Sequence, residues 1–433
     1  IILHAAALML AAVATASPAP TPAPLATPQG AFTTSGVVRA FEFQRINRVG
    51  VNANAFSLGG SLHAEYTTSA RPLTLGLTYY FADPVGTGGP NPRTNPNIDN
   101  SLPGFPYRSL GELYAQYRTF RDVLQIGKMQ LTSPWANAAD GRMIPVTFQG
   151  ITARRYFAPG WDLGVMRVAR FKSRTSSAFD ANNLLTNATT PGFLLVDLTR
   201  TAGSFSGSLH TYWFYDVASL THAEVRLALS ERSFITAQGI EEHEIGRALV
   251  GTIHSHVLGL QYGTRIGAVN ATLGYNAIPA VSYRTNNPGS IFQPVGGTPN
   301  KRALGRGLFE VAGGGIASPY TDGYVADPLF TTSLVASLVD RRSTGSAIKL
   351  AFSATSGNGR LTGSIAHGFY DYSNRLGTAT ATETELDGTY FLSNVDPTRG
   401  YTGFSFRQRW SYRASSGPPF AFLYSRSQLQ YTF

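Results

Sequence analysis

From about Ser35 to the C-terminus, apolar and polar residues alternate with a period of two in one short run after another. Ala55–Thr67 sets Phe56, Leu58, Leu62, Ala64 and Tyr66 against Ser57, Ser61, His63 and Glu65. Pro72–Ala82 repeats the pattern, with Leu73, Leu75, Leu77 and Tyr79 against Thr74, Gly76 and Thr78. A period of two is the pitch of a β-strand whose two faces meet different surroundings. Beyond the N-terminus no apolar run of about 18 residues exists, which excludes a helical membrane protein. Only 14% of the 433 residues are charged, against about 25% in soluble proteins. Low charge without an apolar helix fits a chain whose apolarity is spread over alternate residues, one face toward lipid and one toward water.

Eighteen such strands are expected between residues 35 and 433, an even number as bacterial transmembrane barrels require. Ser69–Arg71, Pro159-Gly160 and Gly357-Asn358-Gly359 mark tight turns, while Asp83–Arg108 and residues 278–344 are long connections. Phe330–Val339 inside the second could extend a strand. It is read as loop, because strand parity then keeps every long connection on one side. In Leu220–Ser230, His222, Glu224 and Arg226 share a face that should be the lumen, since an Arg toward mid-bilayer lipid costs roughly 2–4 kcal/mol. Aromatic residues near strand ends (Tyr79–Phe81, Phe157 with Trp161, Tyr212–Tyr215, Phe369–Tyr372, Trp410 with Tyr412) are expected to form interfacial girdles. Three places resist the alternation: Arg154 beside Arg155, Arg167 with Arg170, and Glu42 on the parity opposite Arg39 and Arg45. Bulges or snorkelling are the available resolutions.

Before the first strand, Ile1–Ala16 is Ala-rich and apolar and ends Ala14-Thr15-Ala16. It reads as a secretory signal truncated at its start, without its basic n-region. Residues 17–34, with Pro18, Pro20, Pro22, Pro24 and Pro28, read as an extended periplasmic leader.

Residues 132–145 join two strand-like runs but cannot form a tight hairpin, because Pro134, Asp140-Gly141 and Pro145 shape them into a loop. Trp135, Met143 and Ile144 need a wall to pack on, so the loop is expected to fold into a cavity. The run Asp140-Gly141-Arg142-Met143-Ile144-Pro145-Val146-Thr147-Phe148-Gln149-Gly150 resembles the D-x-R-L-L-P-x-x-F-x-G signature of OprD-like outer-membrane porins. The resemblance implies an all-β fold, an 18-stranded antiparallel transmembrane β-barrel with an inward-folded constriction loop. Within that loop Trp135, Asp140, Arg142, Met143 and Pro145 are the candidate site residues. Asp140 and Arg142 either contribute to the constriction or only pin the loop to the wall.

The stretch Tyr401-Thr402-Gly403-Phe404-Ser405-Phe406-Arg407-Gln408-Arg409 is similar to the family's K-G-L-x-L-R-L-R-Y strand, with Tyr401-Thr402 where a Lys usually precedes the Gly. With Phe404 and Phe406 outside, Arg407, Arg409 and Arg413 should stack along one inner wall. Arg426 on the last strand and Arg39 on the first join them if the barrel closes. The resemblance implies that Arg39, Arg407 and Arg409 belong to a basic ladder guiding substrate carboxylates. The competing reading is that these arginines pair with acids across the lumen. The formal charge of +10 and the lack of an intervening acid near Arg407–Arg413 favour the ladder.

The expected protein is thus an outer-membrane porin of a diderm bacterium, passing small carboxylate-bearing solutes, with no cofactor, metal, catalytic residue or nucleic-acid partner. Outer-membrane lipids surround it, and the resemblance implies that the barrel assembly machinery reads its terminal Phe433. The alternative is an outer-membrane barrel enzyme of lipase or protease type, which needs fewer strands and a catalytic set at one rim. His254 and His256, two apart on a strand, lack a third ligand and are read as pore-lining or interfacial. Glu241–Glu244 is read as a solvated loop.

Overall fold

The computed structural model describes residues 30–68, 72–85, 102, 104–139, 142–289, 297–321, 327–339, 342–392, 401–417 and 420–433. The signal and most of the leader, the Ser69–Arg71 turn and Asp140-Gly141 lie outside the described residues. The first strands are β1 (Phe32–Asn47), β2 (Ala53–Thr67), β3 (Leu73–Pro84), β4 (Tyr107–Arg118), β5 (Asp122–Met129), β6 (Thr147–Ala158) and β7 (Trp161–Lys172). There follow β8 (Phe193–Ala202), β9 (Phe205–Phe214), β10 (Ala218–Ala228), β11 (Ser233–Glu244), β12 (His254–Ile266) and β13 (Val269–Ile278). Three short strands come next, β14 (Ser282–Thr285), β15 (Lys301–Gly305) and β16 (Leu308–Ala312). The chain finishes with β17 (Gly345–Thr355), β18 (Leu361–Asp371), β19 (Thr380–Phe391), β20 (Gly403–Ser415) and β21 (Ala421–Thr432).

Each long strand pairs antiparallel with its neighbours in sequence, and β13 passes directly to β17. β1 closes on β21 in a register running from Val37↔Thr432 to Asn47↔Phe422. The result is a closed 18-stranded barrel with no α-helix among the described residues. Along the strands, Leu58, Leu62, Tyr66, Leu75 and Leu77 are exposed on the outer wall while Ser57 and Thr78 are buried inside. This is the alternation the sequence predicts, and it gives the barrel a wet side and a lipid side. β1 begins at Phe32, three residues before the expected strand start, because its first residues pair with Ala64–Tyr66 of β2.

Tight turns join strands at one rim. At Pro159-Gly160, Gly160 has φ +71°, and a Cβ there would meet the Thr201 carbonyl oxygen at 2.1 Å. Longer connections gather at the opposite, loop rim. Two of them, residues 130–146 and the connection between β13 and β17, turn inward. The main apolar clusters of the molecule therefore lie inside the lumen, between these loops and the inner wall.

Five of the expected girdle aromatics belong to that interior. Tyr80, Tyr212, Phe214, Tyr370 and Tyr372 are buried in the lumen-side clusters, whereas Phe157, Trp410 and Tyr412 do face outward. Phe330–Val339 is not strand, as expected, but the same connection carries the small sheet β14-β16-β15. Glu241–Glu244 belongs to β11 rather than to a solvated loop, and Glu242 is buried inside. Arg154 points inward to Asp162 and Asp197, both at 2.9 Å, while Arg155 is exposed near Asp122. A bulge between Val168 and Arg170 resolves the next conflict, and Arg167 reaches up to the Pro191 carbonyl at 2.8 Å. His254 and His256 face outward near the loop rim, which is the interfacial alternative.

Candidate functional site

The loop 130–146 folds inward from β5, touching β9 near its start and β1 and β21 near its end before returning to β6. Trp135 is fully buried, and its backbone N–H donates to the Tyr212 hydroxyl of β9 at 3.1 Å. Further along, Met143 and Ile144 pack with Phe41, Phe43, Phe422 and Tyr424 from β1 and β21. Two wall cations hold the loop by its carbonyls. Arg39 donates to the Arg142 and Met143 oxygens at 3.1 and 3.4 Å, and Lys172 donates to the Pro145 oxygen at 3.1 Å. Arg142 is itself buried, with its guanidinium 4.7 Å from the Phe43 ring centre. Apolar anchors supply the adhesion, and the cation-to-carbonyl bonds fix the position.

The second inward loop was not foreseen. Between β16 and β17 the chain descends into the lumen and is held by wall carboxylates that accept from its backbone amides. Glu242 of β11 accepts from Ile316 N–H at 2.8 Å. On β19, Glu385 accepts from Leu334 N–H at 2.9 Å and Glu383 from Val335 N–H at 3.1 Å. Glu383 also takes the Ser411 hydroxyl at 2.6 Å, and Glu385 pairs with Lys349 at 2.6 Å. At the loop's return, Arg342 donates to the Val250 and Thr252 carbonyls at 2.9 and 2.6 Å, although burial lowers its pKa. The two loops touch: Asn137 N–H donates to Thr321 Oγ1 at 3.1 Å, and Leu334 and Val335 join the cluster holding Met143 and Ile144.

The arginines line the wall beside this junction. Arg407, Arg409 and Arg413 share the inner face of β20, rising from the turn rim to the loop rim, with Arg426 directly opposite Arg409 on β21. Arg409, Arg413 and Arg426 are buried under the loops, and Arg413 donates to the Val335 carbonyl at 3.2 Å. Arg174, from the connection after β7, stands close enough to Arg426 to repel it, as Arg409 does. Arg426 lies between the rings of Phe43 and Tyr424, 5.1 and 4.8 Å from their centres. Arg39 is tied to Gln430 Oε1 at 2.8 Å across the closure seam.

Arg407 departs from the expectation of a wall without acids. Its Nε donates to Asp387 of β19 at 2.8 Å, so at this rung the arginine is paired across the strands. The pair opens on a recess of about 250 Å³ toward the turn rim, lined also by Ser353, Thr355, Thr362 and Ser364.

A closed 18-stranded wall narrowed by two infolded loops has counterparts among known proteins. A family profile described as outer membrane porin, OprD family, matches residues 87–282. Pseudomonas aeruginosa OpdK, solved with vanillate, superposes with a TM-score of 0.71 at 16% identity, covering 93% of this chain and 98% of that one. OccK2 (OpdF) of the same organism, solved in complex with glucuronate, gives 0.70 at 14% identity, with 93% and 98% covered. OccK3 (OpdO) gives 0.67 at 17%, with 93% and 95% covered. The fold is that of the OprD-like outer-membrane porins. No curated protein sequence matches the chain.

In this OprD-like barrel, the expected residues Arg39, Arg142, Met143, Arg409, Arg413 and Arg426 converge where the loops meet. Trp135 and Pro145 anchor the two ends of the first loop, Arg407 sits lower in the recess, and Asp140 lies outside the described residues. Sequence reasoning missed Lys172, Arg174, Glu242, Glu383, Glu385 and Asp387. The spacing of Glu383, Glu385 and Asp387 is the usable signal, because a period of two places all three on one face.

Proposed function

We propose that this barrel is a passive channel, not an enzyme, and that it favours small solutes bearing a carboxylate. The observation that carries the reading is the gathering of Arg39, Arg142, Arg409, Arg413, Arg426 and Arg174 beside the loop junction. Of the acids on the neighbouring strand, Glu383 and Glu385 are engaged by loop amides, a hydroxyl and Lys349, and Asp387, opposite Arg409, is engaged by Arg407. A surplus of guanidinium charge inside a low-dielectric wall concentrates anions, and the planar fork suits a carboxylate. Neighbours solved with vanillate and with glucuronate support the same solute class. Eighteen strands leave room for an aqueous path, which favours a channel over the filled small barrel of a lipase or protease.

The same reading puts the turn rim in the periplasm, with residues 1–16 as the signal and 17–31 as the leader up to the wall that begins at Phe32. It also makes Phe433 the residue offered to the assembly machinery. Phe433 exchanges both backbone hydrogen bonds with Gly36, at 2.8 and 3.0 Å, so the last residue helps to close the wall. Its ring stacks beside Tyr431 on the lipid side.

Single-channel recording in a planar bilayer across a KCl gradient tests the proposal. The expected result is a reversal potential of the sign for chloride preference, with brief blockades by added aromatic or sugar carboxylates. A cation-selective channel indifferent to carboxylates would sink it, and hydrolysis of phospholipid or peptide by the pure protein would favour the enzyme.

A further inference from the structure

The outer wall changes character at the closure seam. On β1, β21 and β20 the lipid-facing residues stand in rows across the ladder. The middle row is Glu42, Ser427 and Gln408, and the next row toward the loop rim is Gln44, Ser425 and Trp410. Above them lie Ile46, Leu423 and Tyr412; below lie Ala40, Leu429 and Phe406, then Val38, Tyr431 and Phe404. A polar island holding a carboxylate and two primary amides is therefore enclosed within the apolar belt. Its members bond one another: Gln44 Nε2 donates to Glu42 Oε1 at 2.7 Å, Gln408 Nε2 to Ser425 Oγ at 3.1 Å, and Ser427 Oγ to Gln408 Oε1 at 2.7 Å. Asn54 of β2 adds a third amide directly opposite Gln44. Five strands round the wall from β21, the outward residues of β13 are instead led by Leu273 and Tyr275.

Hydrocarbon supplies no hydrogen-bond partners, and charge on the lipid face of a barrel is destabilising. The internal bonds do not saturate the island. One amide donor does not satisfy a carboxylate, and each primary amide carries two N–H donors. We propose that this island is the contact between two copies of this chain, packed side by side about a two-fold axis along the membrane normal. The island's own layout selects the occupant. Its acid lies at the β1 edge, its Gln408 amide at the β20 edge, and the hydroxyls of Ser425 and Ser427 between them. Copies in one membrane point the same way, so a two-fold axis along the normal turns the β1 edge of each toward the β20 edge of the other. The acid side of each copy then faces the amide side of its partner, twice, with the serines near the axis. Lipid offers no such complement. Phe406, Trp410 and Tyr412 border the island and give the contact its apolar rim, while polar groups bridge it as they do between membrane helices. The inference depends on the barrel's place in a membrane and not on its solute.

The chain has no Cys, so a single introduced thiol reports without background. In outer membranes of cells expressing the full chain, Ser427→Cys should give, on mild oxidation, a disulfide-linked band of twice the chain mass. Leu273→Cys on β13, outside the island, should give none. Adding Glu42→Leu and Gln408→Leu to Ser427→Cys should abolish the crosslink while the barrel keeps its heat-modifiable mobility on gels. If Ser427→Cys does not fold, Ser425→Cys is read in the same way. A thiol that stays monomeric, or that captures a different polypeptide, overturns the proposal. So does native mass spectrometry of the unmodified protein in mild detergent that finds one copy or three.

Discussion

The two loops that enter the lumen differ in the charges that hold them. Residues 130–146 are gripped by cations: Arg39 and Lys172 on the wall donate to loop carbonyls. The stretch before β17 is gripped by both signs: Glu242, Glu383 and Glu385 on the wall accept from loop amides, while Arg413 and Lys349 donate to its Val335 and Thr332 carbonyls. The difference bears on selectivity as well as on packing. A carboxylate surrounded by backbone N–H groups has its charge largely answered by fixed dipoles, so it does little to offset an arginine nearby. Wall acids that anchor the second loop are thereby withdrawn from the lumen's balance, and the arginines along β20, β21 and β1 dominate the junction.

Removing one loop and keeping the other breaks the comparison most directly. Shortening Ser133–Ile144 to a Gly/Ser linker removes Trp135, Met143 and Ile144 from the lumen and leaves the carboxylate-held loop in place. Single-channel conductance should rise about twofold or more, since pore width at the narrowest point governs conduction. A folded variant with the original conductance would assign the constriction to the second loop alone.

The next largest effect is expected from the charges on the wall. Arg409→Gln and Arg426→Gln should each move the reversal potential toward cations, whereas Asp387→Asn should move it toward anions by releasing Arg407. Equal and opposite small shifts at Asp387 and Arg409 would show that the recess and the junction contribute alike. No shift at Arg409 or Arg426 would show that these buried guanidiniums only support the wall.

Glu383→Gln loosens the second loop without shortening it. The amide oxygen can still accept from Val335 N–H or Ser411, but more weakly than a carboxylate. Loss of the charged acceptor should destabilise the loop by about 1–3 kcal/mol. More frequent substate openings are expected, together with earlier protease cleavage near Leu334–Val339. Kinetics identical to the parent channel would mean that apolar packing, not the acid, holds the loop.

The first loop was legible because its anchors are side chains: a tryptophan, two aliphatic residues and two prolines in a segment too polar and kinked for a strand. The second was not, because its grip lies in backbone N–H groups, which leave no signature in a Gly-, Ser- and Pro-rich stretch. Its acids were missed for a related reason. Thr380–Glu385 alternates Thr with Ala and Glu, so its outward face, Thr382 and Thr384, carries no apolar period to mark it as strand. The Arg407–Asp387 pair depends on a cross-strand register that no local pattern specifies. The wall itself was readable throughout, because lipid on one side and water on the other impose the period of two on nearly every strand.

The smallest effect is expected at Lys172, and it sharpens the contrast between the grips. Lys172 is fully buried, donates to the Pro145 and Ser173 carbonyls at 3.1 and 3.4 Å, and lies 5.6 and 5.4 Å from the ring centres of Tyr80 and Tyr107. Met is close to Lys in length and keeps the apolar stem against both rings, so Lys172→Met removes the ammonium and little of the packing. The Pro145 oxygen loses a charged donor, but Arg39 still holds the loop two residues earlier, at Arg142 and Met143. Loss of one such bond at a site held twice should lower stability by about 1–2 kcal/mol. In detergent this would be read as an earlier heat-induced mobility shift, with conductance and ion preference unchanged. Lys172→Met combined with Arg39→Gln should destabilise the loop by more than the two single losses added, because each cation limits the effect of losing the other. Strict additivity in that double variant would show that the two cations hold the loop independently, and that the apolar anchors alone set its position.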